Sequence, residues 1–107
     1  MTRLEQLLDM HRQNPKDSFL LFALAKEYEK LGKEEDALEW YQKLQQLDPD
    51  YVGVYYHLGK LFEEKGETEK ALNTYARGIE VAQKLGDLHA KSELQSAKMN
   101  LEMEELL

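Results

Sequence analysis

The sequence predicts an all-α fold of about six helices, arranged as antiparallel pairs in a repeating array. Three observations carry that prediction. The composition, 42% apolar and 33% charged with two prolines and six glycines, fits a helical chain better than a disordered or fibrous one. Apolar residues recur at helical rather than strand spacing. Segment 18–51 returns 34 residues later as 52–85, with eight identities where unrelated segments share about two. A repeat of this period means stacked supersecondary units that bury their apolar faces against one another.

The elements follow in order. Residues 1–14 hold a half-repeat helix, with Leu4, Leu7, Leu8 and His11 on one side, ahead of Asn14-Pro15. The first full repeat, 18–51, begins with a helix whose Leu21, Leu24, Ala25 and Tyr28 fall at i, i+3, i+4 and i+7, a single core stripe. Gly32 ends it. A second helix carries Ala37, Leu38, Tyr41 and Leu44, and Asp48-Pro49 closes the unit. The second full repeat, 52–85, reproduces the stripe as Tyr55, Leu58, Gly59 and Phe62, turns at Gly66, and continues with Ala71, Leu72, Tyr75, Gly78 and Ile79. Small residues on facing helices let the two axes approach closely. Gly86 then breaks the chain, Asp87 is an N-cap candidate, and 87–107 form a capping helix with Leu94, Ala97 and Leu101 on one stripe. All of 1–107 is expected to be one domain.

The quoted positions resemble the tetratricopeptide repeat (TPR) family, whose 34-residue pattern reads W-x2-L-G-x2-Y, then A-x3-F, then P. Here the copies read "LFALAKEY…ALEWY…DP" and "YYHLGKLF…ALNTY", with Leu21 and Tyr55 at the family's Trp position and Ala25 at its first glycine. In the half-repeat helix Arg3 stands where the full repeats have Ala37 and Ala71. The resemblance implies a right-handed superhelix that binds protein segments as a scaffold or adaptor.

Chemistry is thinly supported. Cysteine is absent, so there is no thiol nucleophile, disulfide or thiolate metal site. His11, His57 and His89 fall on three different predicted helices without chelating spacing, and no phosphate-binding glycine loop or hydrolase elbow occurs. No catalytic residue, cofactor or metal is expected. A net charge of −7 disfavours nucleic acid and anionic membrane. No stretch approaches the roughly 20 apolar residues of a membrane span, and the N-terminal stretch lacks the apolar run of a secretory signal. A cytoplasmic setting is the default expectation.

The binding site expected on this architecture lies on the first helix of each pair, one step past the core stripe. That row reads Phe22, Lys26, Glu29 and Lys30 in one repeat and Tyr56, Lys60, Glu63 and Glu64 in the next, begun by Phe19 and Gly53. Phe22, Lys26, Tyr56, Lys60 and Glu63 form the expected contact set. The aromatics would anchor an apolar side chain and the lysines would orient a carboxylate. The implied partner is a protein or peptide, acidic or carboxylate-ended. Glu29 and Glu63 each lie three residues after a lysine, at pairing distance on a helix. A third helix on that face is not expected, and His57 is read as a solvated bystander. Trp40, which the second repeat replaces with Thr74, is expected to pack against Met10 and a neighbouring helix. The alternative function is self-association through the end helices Met1–Gln13 and Leu88–Leu107.

Overall fold

Helices α1 (Arg3–Gln13), α2 (Ser18–Lys30), α3 (Glu34–Leu47), α4 (Gly53–Glu64), α5 (Thr68–Leu85) and α6 (Leu88–Glu105) make up the chain, with no strand. The structure is a computed structural model and describes residues 1–107. The all-α architecture and the helix count agree with the expectation from the repeat.

Helix ends are set by local chemistry. Thr2 and Glu5 form a capping box at the start of α1, and the Asp17 and Asp87 carboxylates accept from the Leu20 and Ala90 amides at the starts of α2 and α6. These bonds satisfy amides that the first helical turn leaves without partners. Helices α2, α4 and α5 all end the same way. Gly32, Gly66 and Gly86 take φ of 76°, 77° and 71°. The following residues, Lys33, Glu67 and Asp87, donate back to Tyr28, Phe62 and Ala82 at 2.9 Å. This closure needs a left-handed residue, which glycine adopts without a Cβ clash.

The chain divides into two compact units, Met1–Tyr51 and Val52–Leu107, each of three helices. In the first, α2 packs against both α1 and α3. It therefore buries more than the single predicted stripe: Leu20, Ala23 and Glu27 are buried along with Leu21, Leu24 and Ala25. Leu7 of α1 joins Leu20, Ala23 and Leu24, with Leu4, Leu8, Tyr28 and Trp40 packed around them. Glu27 is a buried carboxylate at the position Leu61 holds in the second repeat, and Arg3 Nε lies 3.3 Å from it. The departure at Arg3 thus has a partner, because a buried charge requires one. Trp40 packs into the first unit as expected, with His11 beside it, while Met10 is half exposed. The His11 ring meets Trp40 edge-on at 4.9 Å, Tyr28 stacks on the indole at 6.4 Å, and Lys43 Nζ lies 4.4 Å above it.

In the second unit α5 packs against α4 and α6, and α4 also touches α6. Val54, Tyr55, Leu58, Leu61 and Phe62 of α4, Ala71, Tyr75, Val81 and Ala82 of α5, and Leu94, Ala97 and Leu101 of α6 are buried. No helix is long and apolar enough to cross a membrane.

Candidate peptide-binding surface

Helix α2 carries the first part of the expected contact set. Phe22 and Lys26 line a hollow of about 580 Å³ in the first unit, together with Phe19, Lys30, Arg3 and Glu27. Phe19 is 66% exposed, a large apolar ring left in water at the hollow's edge. Phe22 is half-buried, its ring 5.5 Å from Tyr51 and 6.1 Å from Tyr41. Lys26 and Lys30 are exposed and engage no carboxylate. Lys26 does not pair with Glu29, whose carboxylate accepts from the Tyr41 hydroxyl of α3.

The aligned residues of α4 behave differently. Tyr56 and Lys60 line a separate hollow of about 290 Å³ in the second unit, with Ser92, Ser96 and Asn100 of α6 opposite them. Lys60 Nζ lies 3.6 Å from Glu63 Oε2 and 5.6 Å from the Tyr56 ring centre. Glu63 lines neither hollow. The same oxygen that Lys60 approaches accepts the hydrogen bond of the buried Tyr75 hydroxyl. His57 is not a solvated bystander: it is half-buried and meets the Tyr56 ring edge-on at 5.7 Å.

The Tyr41 to Glu29 and Tyr75 to Glu63 bonds are one device used twice, at the same offset as the repeat. Burial, and then the donated bond to a carboxylate, push both phenols well above their ordinary value. Each phenol stays protonated and each glutamate has its acceptor capacity partly committed. The lysine row is consequently unequal. Lys26 is a free cation beside apolar rings, whereas Lys60 shares its charge with Glu63 and the Tyr56 ring.

Several hollow-lining residues were not in the expected set. Arg3 lines the first hollow, and its signal in the sequence was the break in the alanine pattern. Ser92, Ser96 and Asn100 lie at i, i+4 and i+8 on α6, one face of a helix. That spacing is visible in the sequence, but the position of α6 beside α4, as a further helix on this face, is not. Chemically, the first hollow offers apolar contact and cationic donors beside the Glu27 and Glu29 carboxylates, and the second offers hydroxyls, an amide and a tethered ammonium beside His89 and Glu93. No group of three His, Asp or Glu side chains is placed to hold a metal ion.

Comparison with known proteins accords with this architecture. A model described as TPR repeat matches residues 25–66, and one described as tetratricopeptide repeat matches 52–85. A tetratricopeptide repeat domain protein from Salinibacter ruber is 49% identical, with a TM-score of 0.77 over 80% of this chain and 96% of its own. A Bordetella parapertussis protein is 28% identical, with a TM-score of 0.84 over 98% of this chain and 91% of its own. PcrH, solved in complex with the chaperone binding region of PopD, is 13% identical and shares the fold at a TM-score of 0.87, over 95% of this chain and 77% of its own. No curated protein matches the sequence. With the 34-residue period, the paired helices and a 49% identical relative spanning most of its length, the chain belongs to the tetratricopeptide repeat family.

Proposed function

We propose that this chain is a non-catalytic protein-interaction module in which the hollow on α2 receives a peptide segment of a partner protein and the hollow on α4 offers a second contact surface of its own. One observation carries the reading: Lys26 and Lys30, unpaired and exposed, stand beside Phe19 and Phe22 at a hollow of about 580 Å³ on a chain of net charge −7. Solubility alone does not call for exposed rings there. The rings supply the apolar contact from which most affinity comes. The lysines add direction, since an exposed ion pair contributes only about 0.2–1 kcal/mol. The matching ligand is a segment with a large apolar side chain flanked by Asp or Glu. Tyr56, Lys60, Ser92, Ser96 and Asn100 suit a polar stretch of backbone, with Glu63 holding Lys60 in place rather than touching the ligand. PcrH, which has this fold, is known in complex with a segment of another protein.

Selection of a displayed random peptide library on the full chain tests the reading. The expected consensus is a large apolar residue with carboxylates within one helical turn or strand step. A selected peptide should bind the Lys26→Glu, Lys60→Glu double variant about tenfold more weakly or worse, with the far-UV spectrum unchanged. A consensus without acidic residues, or equal binding by the folded double variant, overturns the assignment.

A further inference from the structure

Two departures from the repeat meet at the hollow of α2. At the 34-residue offset Arg3 is aligned with Ala37 and Ala71, and Glu27 with Leu61. Those aligned residues are all buried and apolar, whereas here the pair is an arginine and a glutamate. Arg3 Nε lies 3.3 Å from Glu27 Oε1, and both residues line the hollow with Phe19, Phe22, Lys26 and Lys30. Neither local structure nor packing calls for this exchange. Arg3 is the first residue of α1, where a cation opposes the helix dipole. Replacing a buried ion pair by apolar residues is often neutral or stabilising, so the pair is not explained by stability.

Recognition accounts for it better. The Glu27 side chain is 9% exposed and the Arg3 side chain 65%, so the carboxylate is held within the packing while most of the arginine stays open to solvent. Glu27 engages Nε, which leaves the N–H groups of Nη1 and Nη2 for a ligand. A planar guanidinium tethered at one edge presents those groups as a fixed fork, the shape that meets a carboxylate through two parallel hydrogen bonds. The tether also removes part of the ordering cost that a free side chain incurs on binding. Lys26 and Lys30 are flexible point charges without that geometry. The other acid at the hollow, Glu29, accepts from the Tyr41 hydroxyl, so both carboxylates of the site are already engaged. We infer that Arg3 is the residue that reads the acidic side chain of the ligand, through the untethered edge of its guanidinium. This rests on the hollow receiving a segment with a large apolar residue flanked by Asp or Glu, and adds which side chain sets the preference for the acid.

The probe is a C-terminally amidated peptide of the consensus selected on the full chain, used in its acidic form and with each Asp or Glu replaced by Asn or Gln. Titration calorimetry reads the ratio of the two affinities. The wild type should bind the acidic form about tenfold more tightly. Arg3→Ala with Glu27→Leu installs the residue types of the aligned positions without orphaning a buried charge, so it should fold with an unchanged far-UV spectrum. Its preference for the acidic form should fall to about threefold or less, the share left to Lys26 and Lys30. Arg3→Lys keeps the charge and loses the fork, and its preference should fall in the same direction, which a merely structural role for Arg3 would not produce. A library without an acidic consensus, or a wild type that binds both forms equally, removes the acidic reading of the hollow and this inference together. An undiminished preference in the folded double variant or in Arg3→Lys leaves the hollow in place, shows that the lysines read the carboxylate, and overturns the inference alone.

Discussion

At Gly78 the two repeats solve one packing problem with opposite volumes. The aligned pair is Leu21 and Leu44 in the first repeat and Tyr55 and Gly78 in the second, and all four residues are buried. A Cβ added at Gly78 would sit 2.5 Å from the Tyr55 Cβ and 3.0 Å from Leu94 Cδ1. The first of these atoms is anchored to the α4 backbone and cannot swing away. Gly78→Ala should therefore lower stability by about 1–3 kcal/mol through overpacking, outweighing the roughly 1 kcal/mol that alanine gains in helix propensity. A denaturant titration checks this as a lower midpoint at unchanged slope, and an equal or higher midpoint would show that α4 and α5 can move apart. His11 gives a second test at this scale. Its Nδ1 is buried without a partner, and burial followed by the nearby Lys43 hold its pKa below the ordinary imidazole value. The folded state thus disfavours the imidazolium. Its contribution to stability is present above about pH 6.5 and is lost as pH falls towards the lower folded value. Denaturation midpoints at pH 7.5 and 5.5 should differ less in His11→Asn than in the wild type, and an equal pH dependence in both would contradict this account.

At the scale of elements, each helix pair is joined by a glycine turn at one end and by a tyrosine-to-glutamate bond between its helices. Tyr75 donates to Glu63, a half-buried carboxylate that Lys60 also approaches. Removing the hydroxyl leaves that carboxylate short of a partner, at a cost of about 1–3 kcal/mol. Tyr75→Phe is expected to fall in that range, and Glu63→Gln, which keeps an acceptor, should cost less. A double-mutant cycle between them should return a coupling of about 1 kcal/mol, and additive effects would show that the bond contributes nothing. The expectation that Glu63 sits among the ligand contacts arose because its row position is right. The sequence could not show that a tyrosine twelve residues later occupies it, although the same spacing recurs between Glu29 and Tyr41. Helix α6 shows the converse. Its inner stripe is legible at helical spacing, while Met99 follows Lys98 and Met103 stands between Glu102 and Glu104, which hides their exposed line in the sequence.

Across the whole molecule, the period of 34 residues, the helix class, the turns at Gly32, Gly66 and Gly86 and the cap at Asp87 were all readable in one dimension. They depend on spacing, capping chemistry and backbone freedom, which act over a few neighbouring residues. The sequence by itself therefore determined the family and the two candidate faces of α2 and α4. Tertiary structure alone decided that Arg3 compensates the buried Glu27, that Lys26 is free while Lys60 is tethered, that α6 brings Ser92, Ser96 and Asn100 to the hollow of Tyr56, and that a methionine stripe on α6 stays uncovered. Each of these depends on which helices pack side by side. Burial, and with it the strength of a charge or the exposure of an apolar stripe, is a property of that packing and not of local spacing.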